Sequence, residues 1–314
     1  MLRQMSEYSL NVRSLNRGRD VSIGDRTLIG AIDGEAAEVR LGDNVSIGED
    51  VRILAPRVRI GDFTTIHHHT TIYGYDEVSI GDCCWIGQNA ILNCTAPLAI
   101  ARGCTISAYS TIWTHFSGGD PVEGCNLGSL KPCTLGEDVW IGVQCSIAPV
   151  SIAAKSVVLA GSVVTKDIAA NRVYGGNPAV DLTGKLGEPY SKRPDKEKFE
   201  GMCKLLREFL TGSAGVPARD KPKGGGQGRP PSHLVSPARG NDGEERGEGW
   251  LRLGGIAIAM ADCPVENASL FDVRDRTYSK LRSVEEIAFM HFLLPQVKFY
   301  PRAGAAGRVI PFKR

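Results

Sequence analysis

One histidine, His115, stands where the sequence breaks its own pattern, in the stretch "TISAYSTIWTHFSGGDPVEGCNLGSLKPCTLGEDVWIG" of residues 105–142. The ordinary pKa of histidine lies near neutrality, so an imidazole can accept and return a proton at working pH. Two carboxylates, Asp120 and Glu123, follow in the same stretch. Either of them, or a backbone carbonyl, could hold the imidazole in the useful tautomer. These residue types suit general acid–base chemistry, and no Ser or Cys is paired with His115 in a recognisable nucleophile motif, which favours direct transfer without a covalent intermediate.

The elements that must position His115 can be predicted from aliphatic residues that repeat every six positions on both sides of it. Aliphatic residues recur in triples with steps of six, and most triples are separated by seven or eight residues. An earlier, imperfect turn contains Ile23 and Ile29. The complete triples are Leu41, Ile47, Ile53; Ile60, Ile66, Ile72; Ile80, Ile86, Leu92; Ile100, Ile106, Ile112; Leu135, Ile141, Ile147; and Ile152, Val158, Val164.

A six-residue repeat of aliphatic residues fits neither an amphipathic helix nor a simple alternating strand. A coil of three short strands explains it, with one aliphatic side chain per strand pointing inward and about eighteen residues per turn. Glycine often follows the inward residue, as in "IGDN" and "LGED", and we expect it to form sharp corners. Stacked coils bury a continuous aliphatic column, so no coil is stable alone.

The six-residue repeat is interrupted once. The step from Ile112 to Leu135 is 23 residues long, which predicts a loop expelled at one corner of the triangle. A loop at a corner leaves the stacked core intact, and such loops commonly carry function. His115 lies at the base of this loop, three residues beyond Ile112.

The segments "LGEDVWIGVQCSIAP", "LAGSVVTKDI" and "VYGGNPAV" resemble the closing coils of the hexapeptide-repeat, left-handed β-helix acyltransferases. The resemblance covers roughly residues 20–183. It implies a mainly β fold, a left-handed parallel β-helix of about seven coils, and the handedness comes from the resemblance alone.

The resemblance also implies an activity. His115 would be the general base that deprotonates an acceptor hydroxyl as it attacks the thioester of acetyl-CoA directly, in a ternary complex. The acceptor would be a sugar or a polysaccharide precursor, and the loop with "TH" is similar to the hydroxyl-acetylating branch. The protein would be a homotrimer with sites between subunits.

Further site residues follow from the resemblance or from their position. In similar proteins a tryptophan at the place of Trp140, which should face outward, lies near the site. Asn93 lies about one coil from His115 at the same corner and could hydrogen-bond an acceptor hydroxyl, and Asp120 and Glu123 of the loop are further candidates on the acceptor side. The residues implied for coenzyme A are Gly142, Ala160, Gly161, Lys166 and Arg172.

Three other functions stay open. An N-acetyltransferase of nucleotide-linked amino sugars shares this architecture. A zinc enzyme resembling the β-helical carbonic anhydrases is suggested by "IHHHTTI", but adjacent residues of a strand cannot all face one ion, and a polar corner at His67, His68 and His69 is favoured. A non-catalytic scaffold that presents the C-terminal module would need no base beside sequence similar to a coenzyme A site.

The chain divides by composition into four parts: residues 1–183, the acyltransferase domain; 184–211, a helical extension; 212–249, a Gly- and Pro-rich disordered linker; and 250–314, a small α+β module. In the extension, "DKEKFEGMCKLLREFL" has helical spacing with Asp195 as N-cap, and we expect it to pack on the β-helix or a neighbouring subunit. In the module, "GIAIAMA", "SLFDV" and "RTYSKL" predict strands, and "SVEEIAFMHFLL" predicts a helix capped by Ser283 and Glu286.

The charge, the apolar segments and the cysteine content of the sequence argue against some classes of protein. A net charge of +2, from 37 basic and 35 acidic residues, gives no reason to expect nucleic acid or a membrane surface as a partner. No segment is long and apolar enough for a signal peptide or a membrane span, so we expect a cytoplasmic protein. Nine cysteines without a CxxC pair are expected to be small buried side chains, with no metal site.

Overall fold

The structure is a computed structural model that describes residues 8–212, 244–260, 266–294 and 296–302. The chain forms two compact units, divided between Ser191 and Lys192. No helix among the described residues is long and apolar enough to cross a membrane.

The described part of the first unit winds through seven complete coils of three short strands. Each strand pairs in parallel with its counterpart in the next coil, so the coils build three parallel sheets. The strand β1 (Ser9–Leu10) precedes the first coil, and the first four coils are β2 (Leu15–Arg17), β3 (Ser22–Ile23), β4 (Leu28–Gly30); β5 (Glu38–Leu41), β6 (Ser46–Ile47), β7 (Arg52–Leu54); β8 (Arg57–Ile60), β9 (Thr65–Ile66), β10 (Thr71–Tyr73); and β11 (Val78–Ile80), β12 (Trp85–Ile86), β13 (Ile91–Asn93). The fifth coil, β14 (Leu98–Ile100), β15 (Thr105–Ile106) and β16 (Thr111–Ile112), is followed by a hairpin of β17 (His115–Ser117) and β18 (Gly128–Leu130). The last two coils are β19 (Cys133–Leu135), β20 (Trp140–Ile141), β21 (Ser146–Ile147); and β22 (Ser151–Ile152), β23 (Val157–Val158), β24 (Val163–Val164).

The first sheet contains β1, β4, β7, β10, β13, β16, β21 and β24. The second sheet runs from β2 to β22. The third sheet runs from β3 to β23 and ends with β25 (Val173–Gly176) and the antiparallel β26 (Ala179–Asp181), which the short helix α1 (Thr183–Leu186) follows. The fold is the parallel β-helix of about seven coils that the sequence predicts.

The aliphatic column is confirmed. All eighteen residues of the six regular triples are at most 4% exposed and share one core. Burying each such side chain contributes about 1.5–3 kcal/mol. The first coil is imperfect because Arg17 takes the position that Leu41 holds in the next coil, and its guanidinium donates to the carbonyl of Val21.

The corner glycines are needed for a different reason from the one we expected. Gly61 does not have a left-handed backbone; the left-handed residue is Phe63, two positions later, with φ of 54°. A Cβ on Gly61 would lie 2.6 Å from the backbone nitrogen of Asp82 in the next coil. Glycine is therefore required by the close approach of stacked coils.

The aspartates that follow these glycines join successive coils. Asp43, Asp62 and Asp82 are buried, and each occupies the same corner of its coil. The Asp62 carboxylate accepts the backbone N–H of Asp43 at 2.8 Å, and the Asp82 carboxylate accepts that of Asp62 at 2.7 Å. The recurring "GD" thus satisfies buried backbone donors along the helix axis.

In its described residues, the second unit combines two helices with one six-stranded sheet. Its helices are α2 (Asp195–Thr211) and α3 (Val284–Leu293). Its strands, in sheet order, are β27 (Glu245–Gly247), β28 (Trp250–Leu253), β29 (Ile256–Ala259), β30 (Ser269–Asp272), β31 (Thr277–Tyr278) and β32 (Tyr300–Pro301). The predicted module strands and its helix are confirmed. The Ser283 hydroxyl accepts the N–H of Glu286 at 3.1 Å, while the Glu286 carboxylate accepts those of Leu281 and Arg282.

The helix α2 corrects one expectation. We expected it to pack on the β-helix or a neighbouring subunit, but it packs on α3 and β29, with the rings of Phe209 and Phe289 5.2 Å apart. The N-cap position is Pro194, so Asp195 is the first helical residue. Of the predicted linker, residues 213–243 lie outside the described residues, and its last part already forms β27.

The cysteines are mostly core residues. Of the eight described, seven are buried, and Cys125 in the hairpin loop is half-buried. Burial raises the pKa of Cys94 to about 12 and that of Cys133 to about 11, which leaves both thiols protonated at neutral pH.

We predict that a fragment of residues 1–191 folds and stays soluble, whereas a fragment of residues 1–211 aggregates. Phe199, Met202 and Leu206 of α2 are at most 5% exposed in the intact second unit, and the longer fragment would leave them without α3 and β29. Size-exclusion chromatography and thermal unfolding of both fragments measure this. Equal solubility would mean that α2 has another partner.

Candidate active site

His115 begins the excursion at the one interrupted corner. The chain leaves β16 of the first sheet, passes through Trp113 and the fully buried Thr114, and enters the hairpin of β17 and β18. His115 pairs with Leu130 across this hairpin, and its ring lies 6.4 Å from that of Trp113 in an edge-to-face arrangement. The predicted loop is therefore a structured hairpin with its histidine half-buried at the base.

The amide of Asn93 holds the imidazole. Asn93 ends β13, one coil before His115, and is fully buried. Its Oδ1 lies 3.0 Å from Nδ1 of His115 and accepts the hydroxyl of Thr114 at 2.8 Å. The backbone N–H of Thr95 also donates to this oxygen at 3.2 Å, and Nδ2 donates to the Thr95 hydroxyl.

This network fixes the tautomer of His115. A backbone N–H can only donate, so the Asn93 atom that faces Thr95 N must be the carbonyl oxygen. An amide oxygen can only accept, so Nδ1 of His115 must carry the proton. The lone pair is then on Nε2, and no described residue makes a hydrogen bond to that atom. This is the form of imidazole that acts as a general base.

An open cleft adjoins the histidine on the outer side of the first sheet. Its volume is about 410 Å³. It is lined by Trp113, His115, Phe116, Ser117, Ser146, Ala148, Pro149 and Val163. A larger depression of about 660 Å³ lies on the second sheet, and Asp167 is the only ionisable side chain among its lining residues. The cleft beside His115 therefore offers the more reactive chemistry.

The structure changes the role expected for Asn93. We expected its amide to bind an acceptor hydroxyl, but the side chain is inaccessible and its oxygen is already bonded to three donors within the chain. Asn93 is a positioning residue for His115. Thr95 and Thr114 were not predicted as site residues, although the six-residue register places both at this corner.

The two acidic candidates lie in the turn of the hairpin. Asp120 and Glu123 are exposed, and the Asp120 carboxylate accepts the backbone N–H of Val122 at 2.8 Å. Neither carboxylate is bonded to the imidazole, whose Nδ1 is held by Asn93. Their expected contact with an acceptor remains a prediction.

Trp140 lies on another side of the β-helix. It is 52% exposed on β20 of the third sheet, and its indole N–H donates to the Ser107 hydroxyl at 3.4 Å. His115 lies where the chain leaves the first sheet, so Trp140 does not line the cleft of its own chain.

The residues predicted for coenzyme A occupy three corners. Ala160 and Gly161 are exposed between the third and first sheets, and Lys166 is exposed at the corner where the hairpin emerges two coils earlier. Arg172 precedes β25 at the third corner, and its guanidinium lies 4.0 Å from Asp181.

Gly142 does not fit the cofactor role expected of it. It is buried, its N–H donates to Val158 and its carbonyl accepts the Ser110 hydroxyl. A Cβ there would lie 2.6 Å from the backbone nitrogen of Ala160. Gly142 is therefore a close-packing residue with no free polar group to offer a ligand.

The three adjacent histidines form the polar corner that the sequence favours. Nδ1 of His68 accepts the N–H of Glu49 at 2.9 Å, and His69 lies 3.8 Å from Asp50. His67 packs on the ring of Trp85 at 4.7 Å, and burial lowers its pKa. Within the described ranges, no three His, Cys, Asp or Glu side chains are grouped so as to hold a metal ion.

Comparison with known proteins agrees with this architecture. The family described as "Hexapeptide repeat of succinyl-transferase" matches residues 77–111 and 132–166. A putative acetyltransferase of Saccharomyces cerevisiae, YJL218W, is 36% identical over 111 residues, which are 34% of this chain and 55% of the yeast protein. The putative colanic acid biosynthesis acetyltransferase WcaF of Escherichia coli is 29% identical over 149 residues, or 47% of this chain and 70% of WcaF.

Among solved structures, the N-acyltransferase AntD of Bacillus cereus is 21% identical, with 66% of this chain and 98% of AntD covered. The TM-score is 0.40. The chain therefore contains hexapeptide repeats over residues 77–111 and 132–166, and the curated relatives that it resembles are putative acetyltransferases. It spans just over half the length of the yeast relative.

Proposed function

We propose that the protein transfers the acetyl group of acetyl-CoA to a hydroxyl of a sugar or polysaccharide precursor. The observation that carries the proposal is the hydrogen bond between Asn93 and Nδ1 of His115, because it leaves a basic Nε2 on a residue that lines an open cleft. The similarity to putative acetyltransferases, one of them named for colanic acid biosynthesis, supports the reaction class.

In this proposal, His115 takes the proton of the acceptor hydroxyl on Nε2 while the oxygen attacks the thioester carbonyl. The C–S bond then breaks, and His115 returns the proton to the departing thiolate, so that an ester and a free thiol are formed. Asn93 keeps Nδ1 protonated throughout and stabilises the imidazolium that forms. Attack is direct in a ternary complex, because no Ser or Cys is bonded to His115 among the described residues.

Coenzyme A would lie along the closing coils. The N–H of Gly161 donates to the Val143 carbonyl at 2.9 Å, so the exposed backbone of Ala160 and the carbonyl of Gly161 would meet the amides of its pantetheine arm. The side chains of Lys166 and Arg172 would meet its phosphates. These residues occupy different corners of one chain, which supports a homotrimer with each site between two subunits. Trp140 would then border the acceptor site of a neighbouring copy.

We predict that the purified protein releases free thiol from acetyl-CoA when given a hydroxyl-bearing sugar acceptor. Colorimetric thiol assays with simple glycans and nucleotide-activated sugars measure this. Mass spectrometry then identifies the product, and an acetyl group that hydroxylamine removes is an ester. A hydroxylamine-stable acetyl on an amino sugar would instead identify an N-acetyltransferase, and absence of thiol release with every acceptor would favour a scaffold.

A further inference from the structure

A second pocket lies on the outer side of the first sheet, three coils away from His115. It is open, has a volume of about 500 Å³, and is lined by two arginines, a histidine, a threonine and an aspartate. These residues are Arg26, Asp50, Arg52, His69 and Thr71. The function proposed above makes no use of them.

Two parallel columns of side chains build this pocket. Arg26, Asp50 and His69 occupy the same corner position of three successive coils, each with a left-handed backbone at φ of 56°, 54° and 60°. Arg52 and Thr71 are paired in register on the adjoining strands β7 and β10. Polar side chains from the corner and from the face of the sheet thus meet in one open hollow.

One of the two arginines of the pocket is compensated by acidic side chains, and the other is not. Arg26 donates to Asp50 through Nε at 2.7 Å and through Nη2, and Nη2 also lies 3.4 Å from Glu49. Hydrogen bonds from Arg26 hold the pKa of the Asp50 carboxyl below its usual range, so this pair is ionised and mutually compensated. Arg52 is exposed, and no described residue is hydrogen-bonded or ion-paired to its guanidinium.

A continuous track joins the pocket to the cleft beside His115. In successive coils, Arg52 is in register with Thr71, then Ile91, then Thr111, then Ser146, which lines the cleft. Neighbouring strands lie about 4.8 Å apart, so Arg52 and Ser146 are separated by roughly 19 Å along the face of the sheet. An extended ligand could occupy both sites at once.

We propose that the pocket of Arg26, Arg52, His69 and Thr71 binds a phosphoryl group of the acceptor, while the acceptor's reacting hydroxyl lies beside His115. An unpaired guanidinium with a hydroxyl and an imidazole beside it matches the oxygens of a phosphate or diphosphate. The acceptor would then be an extended phosphorylated sugar or sugar chain. This identification of the acceptor rests on the proposed function, but the binding of phosphoryl groups to the pocket does not.

Binding is tested on the full chain without acetyl-CoA. Isothermal titration with inorganic pyrophosphate should show one saturable site. Arg52→Glu should weaken binding by about tenfold or more, because it removes a charge-assisted hydrogen-bond donor and adds a negative charge. Arg13→Gln is the matched control, since Arg13 is an exposed arginine paired with Glu35 outside the pocket. It should bind pyrophosphate as the wild type does.

The variant Asp50→Asn distinguishes a pocket that binds anions from a purely structural ion pair. Removing the negative charge of Asp50 should strengthen pyrophosphate binding if the pocket receives anions. Uridine diphosphate is the second probe, and binding tighter than that of pyrophosphate would mark a nucleotide as the source of the phosphoryl group. Unchanged pyrophosphate affinity in Arg52→Glu, or an equal loss in Arg13→Gln, would overturn the proposal.

Kinetics connect the pocket to the acceptor. With a phosphorylated acceptor, Arg52→Glu should raise the KM of the acceptor about tenfold and leave kcat nearly unchanged. With a neutral glycan neither value should move. If no acceptor is acetylated, the proposed function fails while the titration still decides the phosphoryl site. If neutral and phosphorylated acceptors respond alike, the pocket does not bind the acceptor.

Discussion

Replacing His115 with alanine should lower the turnover of acetyl transfer by ~10²–10⁴-fold, the range lost when proton transfer by a positioned side chain is removed. The affinity for coenzyme A should stay nearly unchanged, because the exposed corner of Ala160 and Gly161 is built by later coils. Initial rates of thiol release at saturating acetyl-CoA measure the first quantity, and calorimetric titration with coenzyme A measures the second.

The matched control is His291→Ala, which removes an exposed histidine from α3 in the second unit. It should leave turnover at the wild-type level. A His115→Ala protein with near wild-type turnover would remove this histidine from the mechanism and leave the hairpin without its proposed purpose. A loss of coenzyme A binding in that variant would point to a collapsed site, and unfolding midpoints distinguish the two.

Most of the scaffold could be predicted because a β-helix is built from a one-dimensional rule. Each inward position is fixed by its spacing from the last, and all eighteen aliphatic residues from Leu41 to Val164 are buried accordingly. The same rule identifies the interruption after Ile112, since a step of 23 residues is too long for the six-residue repeat and requires a loop. Periodicity therefore located both the core and the candidate site.

The contacts around His115 could not be predicted in this way. Spacing places Asn93 at the corner below the imidazole, but it does not tell whether the amide faces the cleft or the interior. That choice depends on donors supplied by two separate coils, the N–H of Thr95 and the hydroxyl of Thr114. The reason for the corner glycines was missed similarly, because close approach between coils is a tertiary contact with no local signal.

The packing of α2 shows a further limit. Its apolar spacing identifies the face that is buried, with Phe199, Met202 and Leu206 correctly inward. An apolar face on a helix does not indicate which surface will cover it, so α2 could be predicted to pack on the β-helix as readily as on α3 and β29. Nonlocal choices between two apolar surfaces depend on shape, which the sequence pattern does not contain.

Asn93→Ala should lower turnover by about 10–100-fold, as expected when a group that orients a functional side chain is lost. The variant removes the acceptor that keeps the proton on Nδ1, so the imidazole can rotate and the proton can occupy either nitrogen. It also leaves the Thr95 N–H and the Thr114 hydroxyl without their partner, at a cost of about 1–3 kcal/mol in the free energy of unfolding. The readouts are thiol-release kinetics, urea unfolding and the ¹⁵N chemical shifts of the His115 ring.

Two further variants separate positioning from stability. Asn89→Ala, on the same coil, loses a residue suited to its left-handed backbone at φ of 57°, so it should be destabilised while keeping turnover and the Nδ1–H tautomer. Asn93→Asp restores an acceptor for all three donors and should recover part of the turnover that alanine loses, despite the penalty of a buried charge. If Asn89→Ala and Asn93→Ala lose turnover equally, or if the ring of His115 keeps its tautomer without Asn93, then Asn93 stabilises the coil and does not position the base.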